Sequence, residues 1–234
     1  MALSSGCQID CIYFDFSKAF DKVNHRLLLL KLIHYGVPHK IVSLCSAYLS
    51  RRSFICRVNR SSSSQRPCAS GLPQGSCIGP LLWAVFINDL KDFLPDNVHY
   101  QLFADDIKIY NSIRTHADCV DLHSTANRVA AWADSNFMTL SESKCVVLKT
   151  RPHDFRYTVN GILLEDALSV RDLGVIVEPN LRFRKHILDV TRSASMICNL
   201  MRRTFITERQ DFYFMLFKSF VLSKFTYCSQ IWTP

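Results

Sequence analysis

Along the chain, apolar positions fall into short blocks whose spacing alternates between strand and helix periods. Gln8–Phe14 (QIDCIYF) is a β-prone run that ends at Asp15. From Asn24 to Tyr35 apolar residues recur at helical spacing, and Gly36 suits the position just past a helix end. Pro38 then opens a second helix that runs to Leu49. Phe54–Val58 and Pro67–Ala69 flank the polar joint NRSSSSQ, which predicts a hairpin with that joint as its loop. GLPQGSCIGP is a loop punctuated by Gly and Pro, and Pro80 is placed to begin the helix LLWAVFINDLKDFL. Val98–Phe103 and Ile107–Tyr110 read as strands separated by Ala104-Asp105-Asp106. His116–Ser135 reads as a helix. Cys145–Lys149, Tyr157–Leu164 and Leu173–Val177 read as strands, with Asn160-Gly161 as a hairpin turn. From Lys185 to Lys224 the pattern is helical. The order β-αα-ββ-α-ββ-α-βββ-αα predicts an α+β fold, a mostly antiparallel sheet packed on helices, followed by a helical segment.

Composition adds a partner class. The 234 residues make one large domain or two small ones, and 48% hydrophobic content is ample for a core. The net charge of +8 points to a polyanionic partner, and the excess is uneven. Between Arg182 and Lys224, Lys and Arg outnumber Asp and Glu nine to three. The ten cysteines fall singly, with no C-x-x-C pair and no zinc-site spacing, so they read as reduced thiols of an intracellular protein. The N-terminus MALSSGCQIDCIYFDF lacks the pattern of a signal peptide, and no apolar stretch is long enough to span a membrane.

The acidic residues raise a sharper question. Asp105 and Asp106 are adjacent inside an apolar segment, where each raises the cost of ionising the other. A second cluster, Asp15 and Asp21, lies in FDFSKAFDK. If the strand ending at Asp15 neighbours the Leu102–Tyr110 hairpin, Asp15 and Asp105 meet at one sheet edge. Carboxylates converging there repel unless a cation lies between them. Their oxygen ligands suit Mg²⁺, and two such ions about 4 Å apart can clamp an in-line phosphoryl transfer. Asp is also common in turns and at strand ends, so on spacing alone both readings stand.

The motifs decide more when taken in order. YFDFSKAFDKVNH, SGLPQGSCIGPLLWAVFINDL, FADD, and SESKC followed by DLGV resemble motifs A to E of a reverse transcriptase, in particular those of non-LTR (LINE-type, jockey-like) retrotransposons. The resemblance runs from Ile9 to Trp232. It implies roles position by position. Asp15 and Asp105 stand where the family has its metal-binding aspartates, and Asp106 where it has the third carboxylate. The Phe16 backbone carbonyl would also face a metal. Phe20, five residues after Asp15, occupies the position that screens the sugar 2′ side, although by residue type it is equally a core side chain. Gly71, Gln74 and Gly75 match the motif B loop beside the nucleotide and template. Lys144 matches the motif D lysine, a catalytic candidate that would stabilise or protonate the leaving pyrophosphate. Ser141 departs from the Asn that relatives often carry, which leaves hydrogen bonding there open. Leu173-Gly174-Val175 matches the primer-grip hairpin of motif E, and the basic helices after Arg182 match the thumb.

The resemblance therefore implies a palm over residues 1–180 and a partial thumb over 181–234. It implies RNA-directed DNA synthesis with two Mg²⁺ ions, Mn²⁺ being a possible substitute. The partners would be an RNA template, a DNA primer and deoxynucleoside triphosphates, in the nucleus or cytoplasm and without a membrane. The oligomeric state is open. The chain begins shortly before Asp15, so the expectation is that the fingers are largely absent, as is an endonuclease, and that the chain is a fragment. Two functional readings follow: the polymerase core of a retroelement, or a truncated non-catalytic remnant that at most binds nucleic acid. An unrelated two-metal nuclease would explain neither LPQGS nor Phe20.

Overall fold

The computed structural model describes residues 7–207 and 209–233. The first six residues of the N-terminal segment read above for a signal peptide lie outside them. Among the described residues no helix is long and apolar enough to cross a membrane.

Thirteen strands and nine α-helices are described. The chain opens with β1 (Gln8–Phe14), α1 (Ala19–Lys22), α2 (His25–His34) and α3 (His39–Leu49). Four short strands follow: β2 (Ser53–Phe54), β3 (Arg57–Val58), β4 (Ser61–Ser62) and β5 (Arg66–Pro67). Next come α4 (Gly79–Ile87), which tightens into a 3₁₀ stretch over Asn88–Phe93, then β6 (His99–Phe103), β7 (Asp106–Ile113) and α5 (His116–Ser135). After a 3₁₀ turn at Glu142–Lys144 lie β8 (Val146–Lys149), β9 (Thr158–Val159), β10 (Ile162–Leu163), β11 (Glu165–Asp166), β12 (Val170–Asp172) and β13 (Val175–Val177). The remainder is helical: α6 (Arg184–Thr204), α7 (Gln210–Leu216), a π-helical stretch (Phe217–Leu222), α8 (Ser223–Thr226) and α9 (Ser229–Trp232). The contacts divide the chain into two compact units, one of residues up to Val147 with His153–Asp166, the other of Leu148–Pro152 with Ala167 onward.

The α+β expectation is borne out. The main sheet has the order β11-β8-β1-β7-β6, antiparallel across β1/β7 and β7/β6 and parallel across β11/β8. The strand pattern of β1 decides which face is inside. Asp10, Ile12 and Phe14 are buried while Ile9, Cys11 and Tyr13 are half-buried, the period of two expected of a strand. Ile107 and Ile109 of β7 stand beside Phe14 and Ile12 on the buried face. Helix α5 packs on β7 and β9, placing Leu122, Ala126, Val129 and Trp132 in the core. Its start is set by a capping box: Asp118 accepts from the Thr115 amide (2.7 Å) and Thr115 Oγ1 accepts from the Asp118 amide (3.4 Å). The amides of Arg114 and Thr115 hold the Asp118 carboxyl below its ordinary range.

Three local expectations change. NRSSSSQ is not simply a loop. Ser61–Ser62 pairs with Arg57–Val58 around a tight Asn59-Arg60 turn, while Ser53–Phe54 pairs separately with Arg66–Pro67. Serine has no strong strand preference, but a two-residue turn with Asn59 at φ 55° places it in the ladder. The strand expected from Leu173 starts at Val175, because Leu173 (φ 45°) and Gly174 (φ 86°) form the turn between β12 and β13. The helix expected to run through FINDLKDFL is α-helical only to Ile87.

The second unit has its own small core of Ala194, Met201 and Val221, flanked by Ile197, Cys198, Leu216 and Phe225. Tyr227 ties the β12–β13 turn to α8 and α9, donating its hydroxyl to the Leu173 carbonyl at 2.7 Å. Buried His186 accepts the Ile176 amide at Nδ1 (3.3 Å), and burial lowers its pKa.

One buried ion pair joins the helices of the first unit. Lys31 Nζ donates to the Phe86 carbonyl (2.6 Å) and to Asp89 (2.8 Å), which also accepts from Trp132 Nε1 (2.9 Å). Its ammonium lies over the Phe86 ring at 4.4 Å. Burial lowers the Lys31 pKa, and Asp89 opposes that shift. A lysine pKa depressed by folding means that the unfolded chain binds the extra proton, so this group favours folding more as pH rises toward 10.5. Asp89→Ala is therefore expected to cost about 3 kcal/mol at neutral pH, the penalty for stranding a buried charge. The deficit should shrink at pH 9.5, where Lys31 can shed its proton. Urea unfolding of both proteins at the two pH values measures it, and a deficit independent of pH would contradict the account.

Candidate active site

Register places the first acidic residues. The β1–β7 pairing runs from Gln8↔Ile113 to Phe14↔Ile107, so the next residues, Asp15 and Asp106, stand opposite one another. Asp15 lies on the open face of the sheet, because the inward positions of β1 are the even ones. Asp105 sits in the two-residue turn closed by the Phe103↔Asp106 pair, and Ala104 before it takes φ 51°. Asp15 and Asp105 are half-buried and Asp106 is exposed. The three carboxylates thus share one end of the sheet.

The Asp15 backbone is fixed from the other side. The Asp15 carbonyl accepts from Ser141 N (2.7 Å), and Ser17 N donates to the Thr139 carbonyl (2.8 Å). Antiparallel alternation turns the Phe16 carbonyl the other way, to the β7 side, while its ring is buried against Trp83 and Trp132. Ser141, which departs from the family pattern, acts here through its amide. Lys144 Nζ lies 3.2 Å from Asp15 Oδ2, with both side chains substantially exposed. The neighbouring Cys145 thiol is buried, which pushes its pKa up.

Phe20 and the GLPQG loop meet on α1. The Phe20 ring stacks on Trp83 at 5.1 Å. The loop is stitched to the backbone of Phe20–Val23: Gly71 N donates to the Val23 carbonyl (2.9 Å), Leu72 N to the Phe20 carbonyl (2.8 Å) and Ser70 Oγ to the Asp21 carbonyl (3.0 Å). Gln74 Nε2 reaches Asp21 Oδ1 at 3.4 Å. Asp21 is thereby a fastener for the loop. Gly71 has φ +86°, and a Cβ there would meet the Asp21 backbone at 2.7 to 2.9 Å. Gly75, at φ +78°, faces open space. In the second unit, Leu173 and Gly174 are the turn of the β12–β13 hairpin and Val175 begins its second strand.

Sequence reasoning missed a buried polar group. Asp10 is fully buried, and its Oδ2 accepts from His153 Nε2 (2.6 Å) and Tyr157 Oη (2.6 Å). Gln8 Nε2 donates to its other oxygen at 3.1 Å. The ligand atoms of Asp10, Cys119 and His153 lie within 4.8 Å of one another, a metal-like grouping. The His153 tautomer argues against a metal. Its Nδ1 accepts the Phe155 amide (3.2 Å), so the ring proton is on Nε2, the atom that would have to ligate. The group is a hydrogen-bonded anchor. Burial and the Asp10 carboxylate push the Tyr157 pKa up, so Tyr157 stays a donor. The only sequence signal was an acidic residue on the apolar face of β1.

Comparison with known proteins follows the same residues. The family model of reverse transcriptase (RNA-dependent DNA polymerase) matches residues 6–177. The chain belongs to the reverse transcriptase family. This reverse transcriptase chain is 31% identical over 189 residues to the probable RNA-directed DNA polymerase from transposon X-element of Drosophila melanogaster, covering 76% of the chain and 20% of the relative. It is 27% identical over 191 residues to the RNA-directed DNA polymerase from mobile element jockey of the same species, covering 77% and 21%. The jockey-like resemblance is thus borne out, and the chain spans about a fifth of the length of the curated relatives it matches. Apo telomerase from Candida Tropicalis, truncated from its C-terminal domain, shares the fold with TM-score 0.53 at 12% identity, over 76% of this chain and 36% of that one.

The reverse transcriptase loop gives a stability test. Gly75→Ala should cost about 1 kcal/mol from its positive φ alone. Gly71→Ala should cost about 3 kcal/mol, because it adds a backbone clash to the same strain. Thermal unfolding of the two variants reads the difference, and equal midpoints would contradict the close approach of the loop to Asp21.

Proposed function

We propose that this chain is the polymerising core of an RNA-directed DNA polymerase that extends a primer 3′-OH with deoxynucleotides. The observation that carries this reading is the convergence of Asp15, Asp105 and Asp106 at one sheet end beside a loop fastened to α1. All the donors there are oxygens, as hard divalent cations require. Two Mg²⁺ ions held by Asp15, Asp105 and the Phe16 carbonyl, with Asp106 as third carboxylate, would lower the pKa of the 3′-OH and neutralise charge on the pyrophosphate.

The chain's own residues do the rest. Phe20, pinned by Trp83, excludes a ribose 2′-hydroxyl. Gly75, facing open space, lets backbone approach the new base pair, while Gly71 lets the loop close on α1, and Gln74 supplies a polar contact near the template. Lys144, 3.2 Å from Asp15, offsets that carboxylate's charge and would stabilise or protonate the leaving pyrophosphate. Leu173, Gly174 and Val175 grip the primer. The exposed Arg184, Arg192, Arg202 and Arg203 of α6 track phosphates in a thumb, beginning near residue 181 after a palm. Template choice rests on base pairing, and the protein reads duplex shape.

Primer extension on poly-rA/oligo-dT with Mg²⁺ tests the reading. Incorporation by this chain should fall more than about 100-fold in Asp105→Ala. Equal incorporation by both would refute the metal assignment. No incorporation by either would favour the remnant that only binds nucleic acid. Phe20→Val should raise the ribo/deoxy ratio, and Lys144→Met should slow incorporation by about 100-fold while tightening Mg²⁺ binding a few-fold.

A further inference from the structure

Trp83 is almost fully buried, yet its indole is not merely filling space. Its Nε1 donates a short hydrogen bond to the Ala104 carbonyl, at 2.6 Å. That carbonyl belongs to the peptide that joins Ala104 to Asp105. Ala104 has φ 51°, a conformation that costs a Cβ-bearing residue about 1–2 kcal/mol and holds only where its surroundings impose it. The indole is itself clamped, stacked on Phe20 at 5.1 Å and met edge-on by Phe16 at 6.3 Å. A cavity of about 380 Å³, lined by Phe20, Trp83, Leu102 and Ala104 among others, lies along the same group. On that side the turn is held by the indole rather than by dense packing.

We propose that Trp83 is a positioning residue whose indole N–H fixes the Ala104–Asp105 peptide plane and thereby aims the Asp105 carboxylate at a divalent cation. The proposal rests on the metal-binding reading above. A peptide plane fixed at its carbonyl leaves the next residue only its own φ and χ to adjust. A metal ligand held this way keeps its orientation without a hydrogen bond to the carboxylate itself. The hydrogen bond thus acts at one remove from the ligand, as outer-shell partners of metal sites do.

The test is Mn²⁺ affinity of the whole chain, read by the electron paramagnetic resonance of free ion, so it needs no catalytic activity. Replacing Trp83 by 3-benzothienylalanine keeps the shape of the ring and puts sulfur in place of the N–H. Affinity should fall by about 10-fold, with far-ultraviolet circular dichroism and unfolding cooperativity unchanged. Trp83→Phe should give the same loss and serves if the first variant does not fold. Asp105→Ala should also weaken binding, and adding either Trp83 change to it should weaken binding no further. Unchanged affinity in the Trp83 variants, with binding weakened in Asp105→Ala, overturns the role of Trp83 and leaves the metal reading standing. Unchanged affinity in Asp105→Ala overturns both. A further loss in the double variant, or lost cooperativity in both Trp83 variants, overturns the positioning role in favour of a structural one.

Discussion

The seven-residue antiparallel pairing of β1 with β7 is the constraint on which the rest of the first unit depends. Because side chains alternate with a period of two, the pairing fixes both faces of the sheet at once. Ile12 and Phe14 go inward with Ile107 and Ile109, and Asp15 emerges at the end opposite Asp106. Slipping the pair by one residue would exchange the faces along the whole strand and bury the wrong set. Placement of the acidic residues and formation of the core are therefore one event. The α4 and α5 helices close over the apolar face, and the open face carries the carboxylates.

Concentrating negative charge there has a local remedy. Lys144 reaches back across the 3₁₀ turn to within 3.2 Å of Asp15. Lys144 is well exposed and Asp15 half-buried, so water reaches the pair, screens part of its attraction and leaves it open to exchange. Lys31 and Asp89 are the contrasting case. Lys31 is buried among Phe86 and Trp132 with Asp89 half-buried beside it, and the pair holds helices together with no easy route to exchange. A screened pair suits a position where a charge must be swapped, and a buried one suits a joint that must not move.

Much of this was legible in the sequence, for identifiable reasons. Local period and turn chemistry gave β1, α2, α3, α5 and the Asn160-Gly161 hairpin almost to the residue. The family was legible through the resemblance of the motifs around Asp15, the GLPQG loop, FADD and Lys144 to those of reverse transcriptases. What could not be read were contacts between side chains far apart in sequence. Nothing local in LLWAVFINDL marks the bond from Trp83 to Ala104. Asp21 looked like a second acidic candidate, yet its backbone and carboxylate fasten the Ser70–Gln74 loop. The polar run after Asn59 was read as a loop because serine carries little strand preference. The tight turn, not the residue type, put Ser61–Ser62 into a ladder.

Asp10 shows what a buried carboxylate can contribute other than chemistry. In the native register it receives bonds from Gln8, His153 and Tyr157. In a shifted register the same carboxylate would lie against apolar side chains or leave His153 and Tyr157 unanswered, at a cost of several kcal/mol. An isoleucine at that position would be nearly indifferent to which inward site it filled. The charge is selective because it is intolerable everywhere but one place. It acts as a proofreader of strand alignment, penalising misassembly at one end of β1 so that the aspartate at the other end arrives where it is needed.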